Sequence, residues 1–474
     1  MSFDDAFATH AHELVDWIAT YLRDVEQYPV RAQTAPGDIA RAVDGPPPEE
    51  PEPLDEIVAD VRDKLLPGIT HWQHPAFLAW FANTATTPGI LAEMFAAALN
   101  ANGMVWASSP AASELEHVTM RWLGELLGLG TGWFGQITDT ASTSTLLALA
   151  AARESDASLD IRERGLAGRA DLPAFRIYTS EFAHTVVDKA AMTLGIGLAN
   201  IVRVPVDSEY RMRPGELARL IAADRASGCR PMAVVGVSGT TSVASIDPLP
   251  AIADICAQEK VWMHVDAAYA GSAAIAPEFR WVLEGAERAD SVSVNPHKWL
   301  VTPIGCSALW VRDVAALRRA FTVVPEFLKT SARDVTDFHD VGFQLGRPFR
   351  ALKLWMVLRA YGARGLAQII RAHCALAQRF AEWVRAEPDW EVAAPVHLSL
   401  VCFRYAPAGL APEQADAANT AILESVNRSG RAFLSHTKLG GRIVLRLAVG
   451  NARTEERHVR AAWEALREAA PRKM

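Results

Sequence analysis

Lys298 is the residue of this sequence best placed to do chemistry. It lies in the segment Asn295–Val301, between a histidine and a tryptophan, directly after the apolar alternation Ser291–Val294. This pattern predicts a lysine at the end of a buried strand, where desolvation lowers the pKa of the amine and makes it a nucleophile. Such an amine forms Schiff bases with carbonyls, including the aldehyde of pyridoxal 5′-phosphate (PLP). The alternative is a strand-end lysine whose amine reaches water.

Asp266 is the second candidate. The run Val261–Val265 predicts a buried strand, and Asp266 follows at its carboxyl end. Ligands of open α/β sheets bind beyond the carboxyl ends of the strands. A carboxylate there can keep the pyridine nitrogen of PLP protonated, which makes the ring an electron sink, whereas the alternative is an aspartate that caps the next helix. Asp-Ala after one strand and His-Lys after another are typical of PLP enzymes of the aspartate-aminotransferase fold type.

A hydroxyl-rich turn, Asp139–Thr145, precedes the predicted helix Leu146–Ala152. Free N–H groups and the dipole at a helix N-terminus favour an anion, so the turn is a candidate site for the cofactor's phosphate. A Ser/Thr N-cap gives the same pattern. Thr241 follows the apolar run Ala233–Val237 and could also reach the cofactor. His184 follows another strand, and its ring could stack on the pyridine face.

Long segments along nearly the whole chain resemble the PLP-dependent aromatic-L-amino-acid decarboxylases, which include DOPA, tryptophan and tyrosine decarboxylases. These segments are Leu65–Trp72, Trp106–Pro110, Glu114–Glu116, His264–Ser272, Asn295–Trp299, Phe349–Trp355 and Val444–Arg446. The resemblance implies an α/β protein of PLP-dependent transferase fold type I (aspartate-aminotransferase-like). Its mostly parallel sheet would be flanked by helices, with an N-terminal helical segment and a small C-terminal α+β domain. The implied activity is that of a PLP-dependent carboxy-lyase.

The resemblance also implies roles for individual residues. Lys298 would bind the PLP aldehyde, Asp266 would pair with the pyridinium, and His184 would stack on the ring and help to position the substrate carboxylate. The other implied cofactor contacts are Ala141 and Ser142 at the phosphate, Asn295 and His297 close to it, Ala268 under the ring, and Thr241. The implied substrate pocket consists of Trp72, Phe81, Asn83, Asn102, Met104 and His339, some of them reaching in from the partner subunit of a homodimer. Three of these positions, Asn83, Asn102 and Met104, differ from the animal DOPA enzymes.

Phe327 is the main departure from the family pattern. The family usually has Pro, any residue, Tyr and Leu where this chain has Pro325–Leu328. That tyrosine protonates the substrate's α-carbon after carbon dioxide leaves, and loss of a general acid typically slows its step by about 10²–10⁴-fold. Dioxygen could then intercept the longer-lived carbanion. In plant members, the same Tyr-to-Phe difference accompanies aromatic aldehyde synthase activity, which yields aldehyde, carbon dioxide, ammonia and hydrogen peroxide.

The expected activity is therefore PLP-dependent decarboxylation of L-aromatic amino acids, coupled to oxidative deamination that gives the aromatic acetaldehyde. One alternative is a conventional decarboxylase that releases the arylalkylamine, with His184, His339 or a water as the proton donor. Another is an aminotransferase of the same fold. An aminotransferase usually needs an arginine for a second carboxylate substrate, and the sequence identifies none.

The composition predicts a soluble, cytoplasmic enzyme. The chain has 474 residues, 50% of them hydrophobic, and a net charge of −8 with both signs interspersed, which argues against a nucleic-acid-binding surface. Five scattered cysteines fit a reducing compartment. We expect neither a secretory signal nor a membrane span. His71 and His74 lack further ligands at usable spacing, so no metal site is predicted.

Three regions are predicted along the chain. Residues 1–85 form the N-terminal helical segment, which would pack on the partner subunit. Residues 86–350 form the large PLP-binding α/β domain, and residues 351–474 form the small C-terminal α+β domain. The clearest strand candidates are Phe175–Thr179, Ile201–Pro205, Ala233–Val237, Val261–Val265, Ser291–Val294 and Ser307–Val311. Their alternation with helical stretches predicts a mostly parallel sheet that is covered by helices on both faces.

Overall fold

The computed structural model describes residues 3–323 and 335–471. The chain forms two compact units. The larger unit comprises Asn83–Ala375 and Ala394–Leu400, and the smaller unit comprises Met1–Ala82, Leu376–Ala393 and Val401–Met474. The division of the chain at 85/86 and 350/351 stays a prediction.

The described strands are β1 Phe134–Thr138, β2 Phe175–Ser180, β3 Ile201–Val204, β4 Arg230–Val237, β5 Trp262–Asp266, β6 Ser291–Val294, β7 Ser307–Val311, β8 Trp390–Val392, β9 Leu400–Tyr405, β10 Ser435–Leu439 and β11 Arg442–Ala448. The described helices are α1 Phe3–Asp24, α2 Asp38–Val43, α3 Leu54–Asp60, α4 Thr87–Leu99, α5 Pro110–Leu127, α6 Ala141–Arg153, α7 Ile161–Arg164, α8 Val186–Thr193, α9 Pro214–Ala226, α10 Leu249–Glu259, α11 Pro296–Trp299, α12 Val314–Phe321, α13 Ala351–Ala386, α14 Pro412–Arg428 and α15 Glu456–Ala469. Short 3-10 turns lie between several of them.

The larger unit is built on a seven-stranded sheet in the order β1-β7-β6-β5-β4-β2-β3. Strands β3, β2, β4, β5 and β6 run parallel, and β7 runs antiparallel to both of its neighbours, β6 and β1. The central strands are buried along almost their whole length, as expected of parallel strands that are covered on both faces. The predicted mostly parallel sheet is therefore confirmed.

All six predicted strands of this sheet are present, but β1 was not predicted. Its sequence, Phe-Gly-Gln-Ile-Thr, contains a glycine and an amide where the other strands have apolar runs. Gly135 is needed because a Cβ there would lie 2.8 Å from the Cβ of Met120 on α5. Gln136 is buried and donates its side-chain N–H to the Val341 carbonyl at 2.9 Å. Both residues fit the strand through tertiary contacts, which a strand pattern does not contain.

The smaller unit holds a four-stranded sheet in the order β10-β11-β9-β8. The apolar runs Leu398–Arg404 and Arg442–Leu447 predict two strands here, and both strands are present as β9 and β11. Strands β8 and β10 were not predicted, because β8 is only three residues long and β10, with the sequence Ser-His-Thr-Lys-Leu, is polar. An aromatic cluster, in which Phe380, Phe403 and Trp463 meet edge to face, fills the core of this unit.

Within residues 3–323 and 335–471, every helix is too short or too polar to cross a bilayer. In the same described part of the chain, no three His, Cys, Asp or Glu side chains come close enough together to hold a metal ion.

Candidate active site

A cavity of about 180 Å³ lies at the carboxyl edge of the parallel strands in the larger unit. It is lined by Thr140, Ala141, Ser142, His184, Val186, Val237, Gly239, Thr241, Asp266, Ala268, Tyr269, Asn295 and Lys298. Eight of the nine predicted cofactor residues are among them. The convergence follows from the topology, because parallel strands deliver the residues at their carboxyl ends to one edge of the sheet.

Asp266 and Lys298 line this cavity at the carboxyl ends of the neighbouring strands β5 and β6. Asp266 is the last residue of β5, and its Oδ1 accepts a hydrogen bond from the Ala268 N–H at 3.1 Å. Lys298 lies in the short helix α11, which follows β6, and its backbone N–H donates to the Asn295 carbonyl at 2.9 Å. Burial lowers the pKa of the Lys298 amine, and the Asp266 carboxylate opposes that shift. The amine is therefore more often neutral, and so more nucleophilic, than an exposed lysine.

His184 has a fixed tautomer while it is neutral. Its Nδ1 accepts a hydrogen bond from the Val186 N–H at 3.1 Å, so the ring proton lies on Nε2. Burial lowers the pKa of His184, which favours this neutral form, and the charge of Asp266 acts in the opposite direction. The ring lines the cavity and can donate one hydrogen bond from Nε2.

The first turn of α6 contributes the backbone of Ala141 and Ser142 to the cavity. The helix begins at Ala141, five residues before its predicted start, and Thr140 precedes it without a side-chain cap hydrogen bond. One buried hydroxyl of this hydroxyl-rich turn has partners inside the protein: Ser144 Oγ lies 2.8 Å from Thr138 Oγ1 and 2.9 Å from Ser307 Oγ. The uncapped helix N-terminus is suited to bind an anion.

Gly239 follows β4 and lines the cavity. Its φ is +90°, and a Cβ there would lie 2.7 Å from the Ala270 Cβ and 3.0 Å from the Ala270 nitrogen. Only glycine combines this backbone conformation with such a close approach. Sequence reasoning missed Gly239, although a Ser-Gly-Thr-Thr turn directly after an apolar run was a signal for it.

Residues 36–406 match the family model of the pyridoxal-dependent decarboxylase conserved domain. The chain belongs to the pyridoxal-dependent decarboxylase family. Phenylacetaldehyde synthase of Arabidopsis thaliana is 40% identical over 97% of this chain and 95% of its own length. Tyrosine decarboxylase 4 of Petroselinum crispum is 40% identical over 98% and 93%. The solved structure of Oryza sativa TDC with PLP and tryptamine superposes with a TM-score of 0.94 at 39% identity, covering 98% of this chain and 97% of the other.

These comparisons confirm the predicted family, fold type and cofactor. This decarboxylase family member is a PLP-dependent carboxy-lyase of the group that contains aromatic amino acid decarboxylases and aldehyde synthases. The cavity residues fit PLP: an amine of lowered pKa for the aldehyde, a carboxylate for the ring nitrogen and a helix N-terminus for the phosphate. Asn295 gives independent support, because its buried Oδ1 has no hydrogen-bond partner among the described residues and lines the same cavity.

His297 is the predicted cofactor residue that does not line the cavity. It is buried, its Nδ1 accepts from the Cys306 N–H at 3.2 Å, and burial lowers its pKa to about 4. Thr140 belongs to the predicted phosphate turn, whereas no cofactor role was predicted from the sequence for three other cavity residues, Val186, Val237 and Tyr269. The Tyr269 ring stacks on Trp299 at 4.7 Å between centroids, which holds α11 against the residues that follow β5.

Four of the predicted substrate-pocket residues, Asn83, Asn102, Met104 and His339, belong to the larger unit. The side chain of Asn102 accepts the Arg347 N–H at 2.9 Å, and the Met104 carbonyl accepts the His339 N–H at 3.1 Å. None of Asn83, Asn102, Met104 and His339 lines the cavity. In the smaller unit, Trp72 stacks on Phe77 at 4.2 Å, and Phe81 lies under the Arg446 guanidinium at 5.6 Å. Phe327 lies outside the described residues.

Proposed function

We propose that this decarboxylase acts on L-aromatic amino acids and releases the aromatic acetaldehyde in place of the amine. The observation that carries the proposal is Phe327, which stands where the resemblance places a protonating tyrosine. A phenyl ring has no transferable proton. The 40% identity to a phenylacetaldehyde synthase supports the same reading.

In this proposal the cavity residues have distinct tasks. The Lys298 amine binds the PLP aldehyde, and the Asp266 carboxylate holds the ring nitrogen protonated. Bound PLP supplies an electron sink for the electron pair released when the substrate carboxylate leaves as carbon dioxide. His184 lines the cavity, and its Nε2–H would hold that carboxylate, because its Nδ1 already accepts the Val186 N–H.

The remaining cofactor contacts position PLP. The N–H groups of Ala141 and Ser142 at the start of α6 would hold the phosphate, with the carboxamide of Asn295 beside it. Ala268 would pack under the ring, and Thr241 would lie near the cofactor. Support for these tasks comes from their shared position around one cavity. His297 would act indirectly, since it binds the Cys306 N–H and does not line the cavity.

The product depends on how fast the substrate's α-carbon is protonated. Without the hydroxyl of a tyrosine at position 327, protonation slows by about 10²–10⁴-fold, as is typical when a general acid is lost. Dioxygen then accepts two electrons from the unprotonated carbon and leaves as hydrogen peroxide, and water hydrolyses the oxidised carbon–nitrogen bond. One amino acid, one dioxygen and one water thus give one aldehyde, carbon dioxide, ammonia and hydrogen peroxide.

The conventional decarboxylase, which releases the arylalkylamine, is the second candidate. It is favoured by His184, which lines the cavity, carries its proton on Nε2 when neutral and could protonate the α-carbon in place of a tyrosine. A tyrosine decarboxylase at the same 40% identity supports this candidate equally. The two candidates differ only in the step after carbon dioxide leaves.

We also propose that two copies of the chain form a homodimer with the active site at their interface. Helix α4 exposes one apolar stripe, formed by Leu91, Met94, Phe95 and Leu99 at helical spacing, and the last two are about 60% exposed (59% and 61%). A contiguous apolar stripe of this kind is typical of a protein–protein interface. In such a dimer Trp72, Phe81, Asn83, Asn102, Met104 and His339 would shape the pocket for the aromatic side chain, some from the partner subunit.

The deciding experiment mixes PLP-loaded enzyme with phenylalanine, tyrosine, DOPA or tryptophan in air and quantifies amine, aldehyde and peroxide. We expect aldehyde with an equimolar amount of peroxide. Phe327→Tyr should restore the proton donor and turn the product towards amine. Phe7→Tyr, which adds the same hydroxyl to a ring that is 69% exposed, should leave the product unchanged. Amine without peroxide from the unaltered enzyme would refute the aldehyde proposal and favour the second candidate.

A further inference from the structure

A buried ion pair, Glu116–Arg347, lies beside the edge strand β1. Arg347 Nη2 is 2.7 Å from Glu116 Oε1, and each side chain is only 7% exposed. The same two atoms also form hydrogen bonds with the backbone of Ile137 in β1. Glu116 Oε1 accepts the Ile137 N–H at 2.7 Å, and Arg347 Nη2 donates to the Ile137 carbonyl at 2.9 Å. Since β1 is the last strand of the sheet, the ion pair takes the place of a neighbouring strand at Ile137.

Arg347 also connects β1 to two other segments of the larger unit. Its backbone N–H donates to Asn102 Oδ1 at 2.9 Å, and its carbonyl accepts the Gly103 N–H at 2.8 Å. Its guanidinium lies 4.1 Å from the centre of the Phe338 ring. One residue therefore fixes the strand, the segment around residue 102 and the segment around residue 338 in a single arrangement.

Strand β1 leads directly into the cavity. Thr138, the residue after Ile137, donates its hydroxyl to the Thr140 carbonyl at 3.1 Å, and Thr140 is the first residue that lines the cavity. A shift of Ile137 would therefore reach the start of α6 within a few residues. The phosphate of PLP needs the N–H groups of that turn to point at one place.

We propose that the Glu116–Arg347 ion pair is a positioning device, which holds β1 and thereby the first turn of α6 in the arrangement that binds PLP. Glu116 and Arg347 touch no reacting atom and act through Ile137. The inference goes beyond the proposed function, because it concerns the affinity for the cofactor and holds for either product.

The test is Glu116→Gln, measured by titration of the apoenzyme with PLP. The carboxamide of the variant could still accept the Ile137 N–H, but Arg347 would lose its buried counter-charge. We expect the dissociation constant of PLP to rise about tenfold or more, a typical effect of removing a group that supports a binding residue. Amide hydrogen exchange of the holoenzyme should become faster in peptides that cover residues 102–106 and 134–142.

Glu93→Gln is the matched control. It breaks another ion pair of the same unit, in which the Nζ of the buried Lys353 lies 2.5 Å from Glu93 Oε1. Lys353 Nζ also donates to the Ile304 carbonyl. None of these contacts involves β1. The PLP affinity of Glu93→Gln and its amide hydrogen exchange in residues 134–142 should stay at the wild-type level, even if the unfolding midpoint of the variant falls.

The double variant Glu116→Met/Arg347→Met separates positioning from folding. Two apolar side chains of similar volume remove the buried charges and often preserve stability, but they cannot bind Ile137. We expect a near-normal unfolding midpoint together with weakened PLP binding. Wild-type PLP affinity in either folded variant would overturn the proposal. Failure of both variants to fold would also overturn it, because the pair would then be a requirement for folding itself.

Discussion

Gly239→Ala should damage the enzyme by two separable physical effects. The backbone of Gly239 has a φ of +90°, and an L-residue in a left-handed conformation costs roughly 1–2 kcal/mol. The added Cβ would also lie 2.7 Å from the Ala270 Cβ, 3.0 Å from its nitrogen and 3.1 Å from Tyr269 Cδ1. Overpacking of this kind costs about 1–3 kcal/mol. The expected loss in the free energy of unfolding is therefore roughly 2–5 kcal/mol.

Gly228→Ala is a control that contains only the first effect. Gly228 has a φ of +80°, and a Cβ there would meet nothing within 4 Å. Its expected cost is roughly 1–2 kcal/mol from the left-handed conformation alone. Both substitutions change the entropy of the unfolded chain in the same way, so that contribution cancels in the comparison. The difference between the two variants measures the close approach at Gly239.

The assay is urea-induced unfolding of the apoenzyme, followed by tryptophan fluorescence, together with PLP titration of each variant. Gly239 and Tyr269 both line the cavity, so Gly239→Ala should also weaken PLP binding, while Gly228→Ala should leave it unchanged. Equal unfolding midpoints for the two variants would refute the packing argument. Normal PLP affinity in Gly239→Ala would show that the cavity tolerates the displacement of Tyr269.

Two further predictions concern buried titratable groups. Burial places the pKa of Lys298 below its ordinary value. Between the folded-state pKa and the ordinary pKa, the unfolded chain therefore binds more protons than the folded chain. The apoenzyme gains stability as the pH rises through that window. Lys298→Met should raise the urea midpoint of unfolding at pH 7, and this increase should become smaller as the pH approaches the ordinary lysine pKa. An unchanged midpoint at pH 7 would contradict the prediction. Burial lowers the pKa of His264 from 6.5 to about 4, so stability should fall by at most about 3 kcal/mol as the pH falls from 6.5 to 4. His264→Asn should flatten the slope of the midpoint between those pH values, and an unchanged slope would assign it to other groups.

The sequence alone was sufficient to predict which main residues meet at the cavity. Lys298, Asp266 and His184 could be predicted to meet there because each follows an apolar run that predicts a strand, and parallel strands bring such residues to one edge of the sheet. The sheet itself was predictable for the same reason, since six of its seven strands carry apolar patterns that are local in the chain. The family and the cofactor followed from long matched segments rather than from any single residue.

Only the tertiary structure decided which residues make the contacts that hold the cavity and the sheet in place. Gly239 is required by the close approach of Ala270, and β1 fits the sheet because Gly135 leaves room for Met120 and Val341 accepts the hydrogen bond of Gln136. Arg347 lies 231 residues from Glu116 in the chain, yet the two charges meet at Ile137. A local pattern records the period of a helix or strand, but these contacts depend on which surfaces pack together. The sequence therefore determined which candidate residues reach the cavity, and packing determined the contacts that hold them in position.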